Sequence, residues 1–243
     1  MTPQPKLVVL HHLDKTFLGT AAEPLRAAGL ELDERDLKQG DPLPVIGDAD
    51  AILSLGGDQS VRELERYPYL VDEVELLREE AERGTPVLGV CLGGQLLAHA
   101  LGGNVDRLPR RVVTWAEVEK LPEAEGDPVI GGLPDKLRAL HWNEDGFTIP
   151  PGAVELLSRA TDAGEAFRWG ENAWGIQFHP ETDAAAIENW YADVDWLTEA
   201  GVDEGAAREA DRLHLPGQHA TADELFGGFA RFVTSRARAR PRG

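Results

Sequence analysis

The sequence predicts an α/β protein built around a mostly parallel sheet. Short apolar segments, of the length of buried strands, alternate with longer segments whose apolar residues recur at helical spacing. Glycine and proline separate these segments, as at Gly84 and Pro86, which end one helical pattern before the next strand. This alternation is typical of βα units, in which a helix carries the chain back to begin a parallel neighbour.

The alternation is most regular over the first hundred residues. Each predicted helix is followed by a glycine, the residue that most readily takes the left-handed conformation found after helix ends. Strands are predicted at Leu7–Leu10, Ala51–Leu55 and Val87–Val90, and helices at Ala21–Ala28, Leu70–Arg83 and Leu92–Leu101.

After residue 112, short β-rich segments are separated by turn residues. We expect these segments to complete the sheet and to include an antiparallel portion. They are Val112–Val118, Leu137–Leu140, Val154–Leu157, Ala166–Trp169 and Ala173–Phe178.

Two closing helices are predicted, at Ala184–Ala200 and Ala222–Ala237. The polar stretch Gly201–Ala220 between them, which contains Pro216-Gly217, is predicted to be a loop or a short helix followed by a loop. Trp190 and Trp196 fall six residues apart, so we expect them on different faces of the first helix. They could serve the core and an interface separately, but core packing of both is the simpler expectation.

Length and composition are those of a globular protein. The 243 residues, 42% of them apolar, suffice for a single domain over 1–243 with a core of about 5–235. No stretch approaches the roughly 20 apolar residues of a membrane helix, and the first residues lack the pattern of a secretory signal. We therefore expect a cytoplasmic protein without a membrane partner.

The net charge of −19 argues against a nucleic-acid partner, which would require a basic surface. The one basic stretch is the tail over 236–243, which contains Arg236, Arg238, Arg240 and Arg242. We expect this tail to be a frayed, solvated terminus, with a binding arm as the alternative.

The chain contains one cysteine, Cys91. A lone cysteine is more often an inert core residue than a nucleophile, but its neighbours favour the second interpretation. The segment Gly89-Val90-Cys91-Leu92-Gly93 has the form Gly-x-nucleophile-x-Gly and lies between a predicted strand and a predicted helix. Glycine at 89 and 93 removes side chains that would collide in so tight a turn. The start of the helix favours the thiolate and leaves the Leu92 N–H free for a developing oxyanion.

A base for this nucleophile is predicted at His179. An apolar run leads into His179-Pro180-Glu181, and Pro180 cannot continue a strand ladder. Residues two apart in an extended segment share a side, so Glu181 can accept a hydrogen bond from the His179 ring. We expect His179 to transfer protons and Glu181 to fix its tautomer.

The other six histidines lack a carboxylate placed in this way, and a histidine without such a setting is more often a surface or core residue. They are His11, His12, His99, His141, His214 and His219. One cysteine and scattered histidines do not form a zinc site, so we expect no metal and no cofactor.

Together, Gly-Val-Cys-Leu-Gly-Gly-Gln at 89–95 and His-Pro-Glu at 179–181 closely resemble the class I glutamine amidotransferases. The similarity extends over about residues 5–182 and is closest to stand-alone proteins similar to the amidotransferase domain of GMP synthase. The supporting stretches are Leu53–Gly57, Arg83–Gly103, His141–Leu157 and Ala166–Glu181.

The resemblance implies a flavodoxin-like, three-layer α/β sandwich. It also implies that Cys91 attacks the side-chain amide of glutamine, forming a γ-glutamyl thioester and releasing ammonia, after which water yields glutamate. Gly57 and Leu92 would supply the N–H groups of the oxyanion hole, and Gly56 and Gln95 would help to hold the substrate. A plain turn remains the alternative for Gly56-Gly57.

The chain departs from the family pattern at three places. Relatives often have Gly-Gly-Pro, His-Trp-His-Gly-Asp and Glu-x-Gly-Trp. This chain has Gly56-Gly57-Asp58, His141-Trp142-Asn143-Glu144-Asp145 and Val112-Val113-Thr114-Trp115 in their place. These changes leave the predicted triad intact and bear on the choice of substrate and acceptor.

Three functions are compatible with these residues. The first is a glutaminase that passes ammonia to a separate synthase, because the sequence has no Gly-x-x-x-x-Gly-Lys-Ser phosphate loop for an ATP-using step of its own. The second is a self-contained hydrolase of another γ-glutamyl amide. The third is a binding module that kept the fold without turnover.

Overall fold

The computed structural model describes residues 4–13 and 18–239. Within these ranges, strands form one sheet and helices cover both of its faces. The strands are β1 (Lys6–His12), β2 (Glu31–Asp36), β3 (Ala51–Gly57), β4 (Val87–Val90), β5 (Val105–Lys120), β6 (Lys136–Phe147), β7 (Ala153–Ser158), β8 (Ala166–Trp169) and β9 (Ala173–Ile176). The α-helices are α1 (Ala22–Ala27), α2 (Pro68–Arg83), α3 (Leu92–Ala100), α4 (Ala184–Tyr191), α5 (Val194–Ala200) and α6 (Glu204–Ala239).

The described strands lie in the order β2-β1-β3-β4-β9-β8-β7-β5-β6. The first five of them are mutually parallel. The remaining four extend the sheet through antiparallel pairings. The predicted α/β class, with a parallel centre and an antiparallel portion, is therefore confirmed.

The three layers can be seen along β1. Leu7 and Val9 pack on the face covered by α1 and α6, whereas Val8 and Leu10 pack on the opposite face, covered by α2 and α3. Because successive strand residues point to opposite faces, a central strand with helices on both sides must be apolar throughout. This explains why β1, β3 and β4 were readily predicted from short apolar runs.

The strand β2 was not predicted. Its sequence, Glu-Leu-Asp-Glu-Arg-Asp, is almost entirely charged, and its residues are exposed or half-buried. It lies at the edge of the sheet, with β1 as its only neighbour among the described strands. Charged side chains are common on edge strands, where they discourage pairing with other chains. The charged composition of β2 therefore does not predict a strand, and the strand forms because it pairs with β1.

The prediction for the C-terminal region was wrong in two respects. The stretch Gly201–Ala220, predicted to be a loop or a short helix followed by a loop, is mostly helical, because α6 runs unbroken over 36 residues with Pro216 inside it. The single helix predicted at Ala184–Ala200 is two helices, and the Asp193 side chain accepts a hydrogen bond from the Trp196 N–H to begin the second. Tertiary contacts explain the first difference, because Asp211 of α6 accepts hydrogen bonds from Trp115 Nε1 (2.8 Å) and Tyr191 Oη (2.7 Å).

Part of the basic tail is also helical. Arg236 and Arg238 lie in the last turn of α6, and the Arg236 guanidinium lies 5.4 Å from the centre of the Phe232 ring. The expected frayed terminus is therefore wrong for these two residues, while Arg240 and Arg242 lie outside the described residues. In the part of the chain that the structure describes, no helix has the length and apolarity needed to cross a bilayer.

The docking of α6 can be tested at Asp211. Substitution Asp211→Ala leaves the indole N–H of Trp115 and the hydroxyl of Tyr191 without their acceptor, so we expect the free energy of unfolding to fall by about 2–3 kcal/mol. Urea denaturation measures this change. Asp223→Ala, at an exposed position of the same helix, serves as the matched control and should change stability by less than about 0.5 kcal/mol. Equal effects of the two substitutions would contradict this account of how α6 is held.

Candidate active site

The predicted site residues meet where three adjacent parallel strands end. Gly56 and Gly57 end β3, Cys91 directly follows β4, and His179 and Glu181 follow β9. The carboxyl ends of parallel strands in an open α/β sheet form the crevice where ligands commonly bind. A cavity of about 260 Å³ lies there. All seven predicted site residues line it: Gly56, Gly57, Cys91, Leu92, Gln95, His179 and Glu181.

The turn at Cys91 is strained, as the sequence pattern predicted. Its φ of 51° and ψ of −107° make Cys91 the one non-glycine residue with positive φ in the described ranges. Such a conformation costs on the order of 1–3 kcal/mol and persists only where the surroundings enforce it. The Cys91 N–H donates to the Ile176 carbonyl at 2.8 Å, which ties the turn to β9.

Glycine is required on both sides of this turn. A Cβ atom at Gly89 would lie 2.4 Å from the Gly93 carbonyl oxygen, and one at Gly93 would lie 2.1 Å from the Ser54 carbonyl oxygen. A third glycine, Gly94, lies just outside the Gly-x-Cys-x-Gly pattern, and a Cβ there would lie 2.5 Å from the Ile176 carbonyl oxygen. Backbone atoms cannot yield at these distances, so α3 can begin this close to β3 and β9 only with glycine in its first turn.

His179 and Glu181 form the predicted pair. His179 Nδ1 lies 2.8 Å from Glu181 Oε1, and both side chains are 5% exposed. The other ring nitrogen, Nε2, has no hydrogen-bond partner among the described residues. The backbone of His179 is fixed on both sides, because its N–H donates to the Leu140 carbonyl at 2.9 Å and its carbonyl accepts from the Gln218 side-chain amide.

The electrostatic environment favours a charged His179 ring. Burial acts to lower the pKa of His179, but its interactions with Cys91 and then with Glu181 outweigh burial and raise that pKa well above its usual value.

Gly56 and Gly57 have a steric reason to be glycine. A Cβ atom at Gly56 would lie 3.0 Å from His179 Cε1, and one at Gly57 would lie 2.6 Å from His12 Cβ and 2.8 Å from Leu92 Cδ2. Neither glycine has a positive φ, so close packing rather than a left-handed turn excludes larger residues. Leu92 is the first residue of α3, so its N–H has no acceptor inside the helix.

Gln95 lies in the cavity wall with its amide nitrogen already in use. Its Nε2 donates to the Asp145 carbonyl at 3.0 Å and to Gln177 Oε1 at 3.2 Å. Any contact with a ligand would therefore involve the Gln95 amide oxygen.

The sequence did not predict a second histidine–carboxylate pair, formed by His12 and Glu73. His12 ends β1 and lines the cavity, and its Nε2 lies 2.7 Å from Glu73 Oε2. Ser54 Oγ donates to the other Glu73 oxygen at 2.7 Å, and all three side chains are fully buried. The sequence offers no local signal for this pair, because its members lie 61 positions apart. The same applies to His141, whose Nε2 lies 2.7 Å from Glu165.

Three tryptophans, here called the tryptophan cluster, also line the cavity: Trp142, Trp190 and Trp196. The ring centres of Trp190 and Trp196 lie 5.3 Å and 5.6 Å from that of Trp142. The expectation that Trp190 and Trp196 lie on different faces was wrong, because the chain breaks between α4 and α5 and brings both rings to Trp142. The Trp190 ring also packs edge-on against the His179 ring, with 4.8 Å between the ring centres.

The coupling between Cys91 and His179 can be measured directly. Cys91→Ala removes the largest interaction that raises the pKa of His179 and leaves the lowering effect of burial in place, so we expect that pKa to fall. Titration of the histidine ring protons by NMR measures the change. Glu181→Gln in the same assay isolates the carboxylate contribution, which acts in the same direction. A His179 pKa unchanged in Cys91→Ala would show that the two side chains do not interact.

Comparison with known proteins identifies the family of this chain. The family model for class I glutamine amidotransferases matches residues 24–191, more than half of the chain. The GMP synthase [glutamine-hydrolyzing] of Thermomicrobium roseum is 31% identical over 172 residues, covering 67% of this chain and 31% of that protein. A glutamine-hydrolysing GMP synthase subunit of Pyrococcus abyssi is 37% identical over 109 residues, covering 44% of this chain and 56% of that relative. The chain thus matches about a third to a half of the length of these curated relatives.

Solved structures agree in fold. A glutamine amidotransferase from Thermotoga maritima superimposes with a TM-score of 0.78 at 27% identity, covering 97% of this chain and 98% of that structure. A glutamine amidotransferase from Methylobacillus flagellatus gives a TM-score of 0.81 at 24% identity, covering 94% of each chain, and shows the shared fold alone. The strained turn, the cavity at the strand ends and the family match converge: the chain belongs to the class I glutamine amidotransferases.

Proposed function

We propose that the protein hydrolyses the side-chain amide of glutamine through a thioester on Cys91 and releases glutamate and ammonia for a separate synthase. The observation that carries this proposal is the meeting of Cys91, His179 and Glu181 in one cavity, with the cysteine held in a strained turn at the start of α3. Two relatives named as glutamine-hydrolysing GMP synthases support the choice of glutamine.

The first half of the reaction forms the thioester. The Cys91 thiolate attacks the γ-carbonyl carbon, and the N–H groups of Gly57 and Leu92 stabilise the negative charge that develops on the oxygen. His179 then gives a proton to the departing nitrogen, the carbon–nitrogen bond breaks and ammonia leaves. Glu181 holds Nδ1 of the ring, so that Nε2, which has no described partner, carries the proton.

The second half of the reaction regenerates the enzyme. His179, now neutral, takes a proton from a water molecule as that water attacks the thioester carbonyl. The carbon–sulfur bond then breaks, glutamate leaves and Cys91 returns to the thiolate. No residue changes its oxidation state, and one water is consumed for each amide cleaved.

The receiver of the ammonia is proposed to be a second polypeptide. The relative from Pyrococcus abyssi is named as one subunit of a GMP synthase, which describes a part of a divided enzyme. A synthase that uses the released nitrogen is therefore the partner we propose for this chain.

The proposal is tested by incubating the purified protein with glutamine and measuring ammonia and glutamate. We expect turnover that falls by about 10³-fold or more in Cys91→Ala, because the nucleophile is lost. Labelling of Cys91 with 6-diazo-5-oxo-L-norleucine, a glutamine-like electrophile, tests the free protein independently of a partner. Failure of both turnover and labelling would leave the protein as a binding module and would refute the proposal.

Glu181 has a separate expected effect. Glu181→Gln keeps the size of the side chain but removes the charge that orients and stabilises the His179 ring, so glutamine turnover should fall by about 10²-fold or more. Glu171→Gln, at an exposed position, is the matched control and should retain full activity. Retention of activity in Glu181→Gln would remove Glu181 from the proposed triad.

A further inference from the structure

We propose that the cavity also accepts γ-glutamyl amides whose amine part carries a second positive charge, such as a γ-glutamyl diamine, and that this ammonium binds at Asp193 beside the tryptophan cluster. The inference rests on the proposed function, because the amide would be cleaved by the same Cys91 chemistry. This reaction differs from glutamine hydrolysis in its leaving group, which is a cationic amine rather than ammonia.

The charges lining the cavity favour a cation. Five carboxylates line it, and no lysine or arginine does so within the described ranges. Four of the carboxylates have a cationic or histidine partner. Asp58 pairs with Lys38 (3.0 Å), Glu144 and Asp145 with Arg107 (2.6 Å and 2.8 Å), and Glu181 with His179 (2.8 Å).

Asp193 is the exception among these carboxylates. It is exposed at the cavity mouth and makes no ion pair with any residue that the structure describes. One of its oxygens accepts the Trp196 N–H at 3.0 Å and begins α5. Its negative charge is thus fixed in place by the helix start and is available to a ligand.

Unpartnered buried acceptors give a second, independent indication of the ligand. The atoms Gln59 Oε1, Asn143 Oδ1 and Glu181 Oε2 belong to cavity-lining residues that are at most 7% exposed, and they have no hydrogen-bond partner in the described structure. Buried acceptors normally have a donor, so a bound ligand or an ordered water must supply one to each of these atoms. A ligand rich in N–H groups, as an amine-bearing γ-glutamyl amide is, meets this need.

The position of Asp193 relative to His179 suggests which part of the ligand it binds. The leaving nitrogen receives its proton from His179, and the Trp190 ring packs against the His179 ring. Asp193 follows Trp190 by three residues and precedes Trp196 by three. Because Cys91, the tryptophan cluster and Asp193 line one cavity, a substituent on the leaving nitrogen can extend within that cavity to Asp193. An ammonium there gains the Asp193 carboxylate and can approach the Trp190 ring, whereas the Trp196 ring already stacks on Trp142 and has the Arg111 guanidinium 5.1 Å from its centre.

The proposed reaction balances in the same way as the cleavage of glutamine. The Cys91 sulfur bonds to the γ-carbon, the carbon–nitrogen bond breaks, and the diamine leaves with a proton from His179. Water then releases glutamate from the thioester. The sum is one γ-glutamyl diamine plus one water giving glutamate plus the diamine, without any oxidant or reductant.

Binding to the Cys91→Ala variant tests the subsite without any chemical step. Calorimetry compares γ-glutamyl-1,4-diaminobutane with γ-glutamylbutylamine, which has the same four-carbon chain but no terminal ammonium. We expect the cationic compound to bind about tenfold more tightly. Adding Asp193→Asn should reduce this ratio to near one, because asparagine still begins the helix but carries no charge. Asp195→Asn, at an exposed position of α5 that does not line the cavity, should leave the ratio unchanged.

Two results would overturn the inference. One is equal binding of the cationic and the neutral compound. The other is equal weakening of both compounds by Asp193→Asn, which would assign Asp193 to the α-ammonium that they share. Ammonia release from glutamine by the unmodified protein tests the proposed function separately. Absence of that release together with a retained cation preference would refute glutamine hydrolysis while leaving the ammonium subsite in place.

Discussion

The positive φ of Cys91 is the constraint on which the site depends. Cys91 takes this conformation where the chain turns from β4 directly into α3, and three glycines make that turn possible. They allow the first turn of α3 to lie against the backbone of β3 and β9 at distances that exclude any side chain. The same close approach sets the sulfur at the start of a helix, next to His179 and the glycines that end β3. The packing of three strands and α3 thus enforces the strain in this one residue.

Buried histidine–carboxylate pairs hold the walls of the cavity. His179 is held by Glu181 and by backbone contacts to β6 and α6, while His12 is held by Glu73 of α2. Hydrogen bonds are electrostatically stronger where water is excluded, and each pair requires a partner of defined position. The site therefore couples β1, β9 and α2, so its geometry is a property of the sandwich as a whole.

Part of the cavity wall is formed by residues C-terminal to the segment that matches the family model. The family match ends at residue 191, whereas Asp193, Trp196 and Gln218 lie beyond it. The break at Asp193 turns the chain so that Trp196 reaches Trp142, and α6 returns across this region to support His179 through Gln218. The proposed triad thus lies within the part of the chain that matches the family model. The surface that a larger substrate would meet is built partly by residues C-terminal to that part.

The sequence alone determined the centre of the fold and singled out the residues that we propose to react. Buried parallel strands are apolar throughout, and the motifs at 89–93 and 179–181 are local, so each could be identified within a few residues. Only the tertiary structure decided the rest. The charged strand β2 exists because β1 pairs with it, and α6 continues through Pro216 while Asp211 binds two aromatic side chains. The pairs His12–Glu73 and Trp142–Trp196 join residues 61 and 54 positions apart. Contacts of that kind arise only when the packed layers bring distant segments together, and no local pattern of residues encodes them.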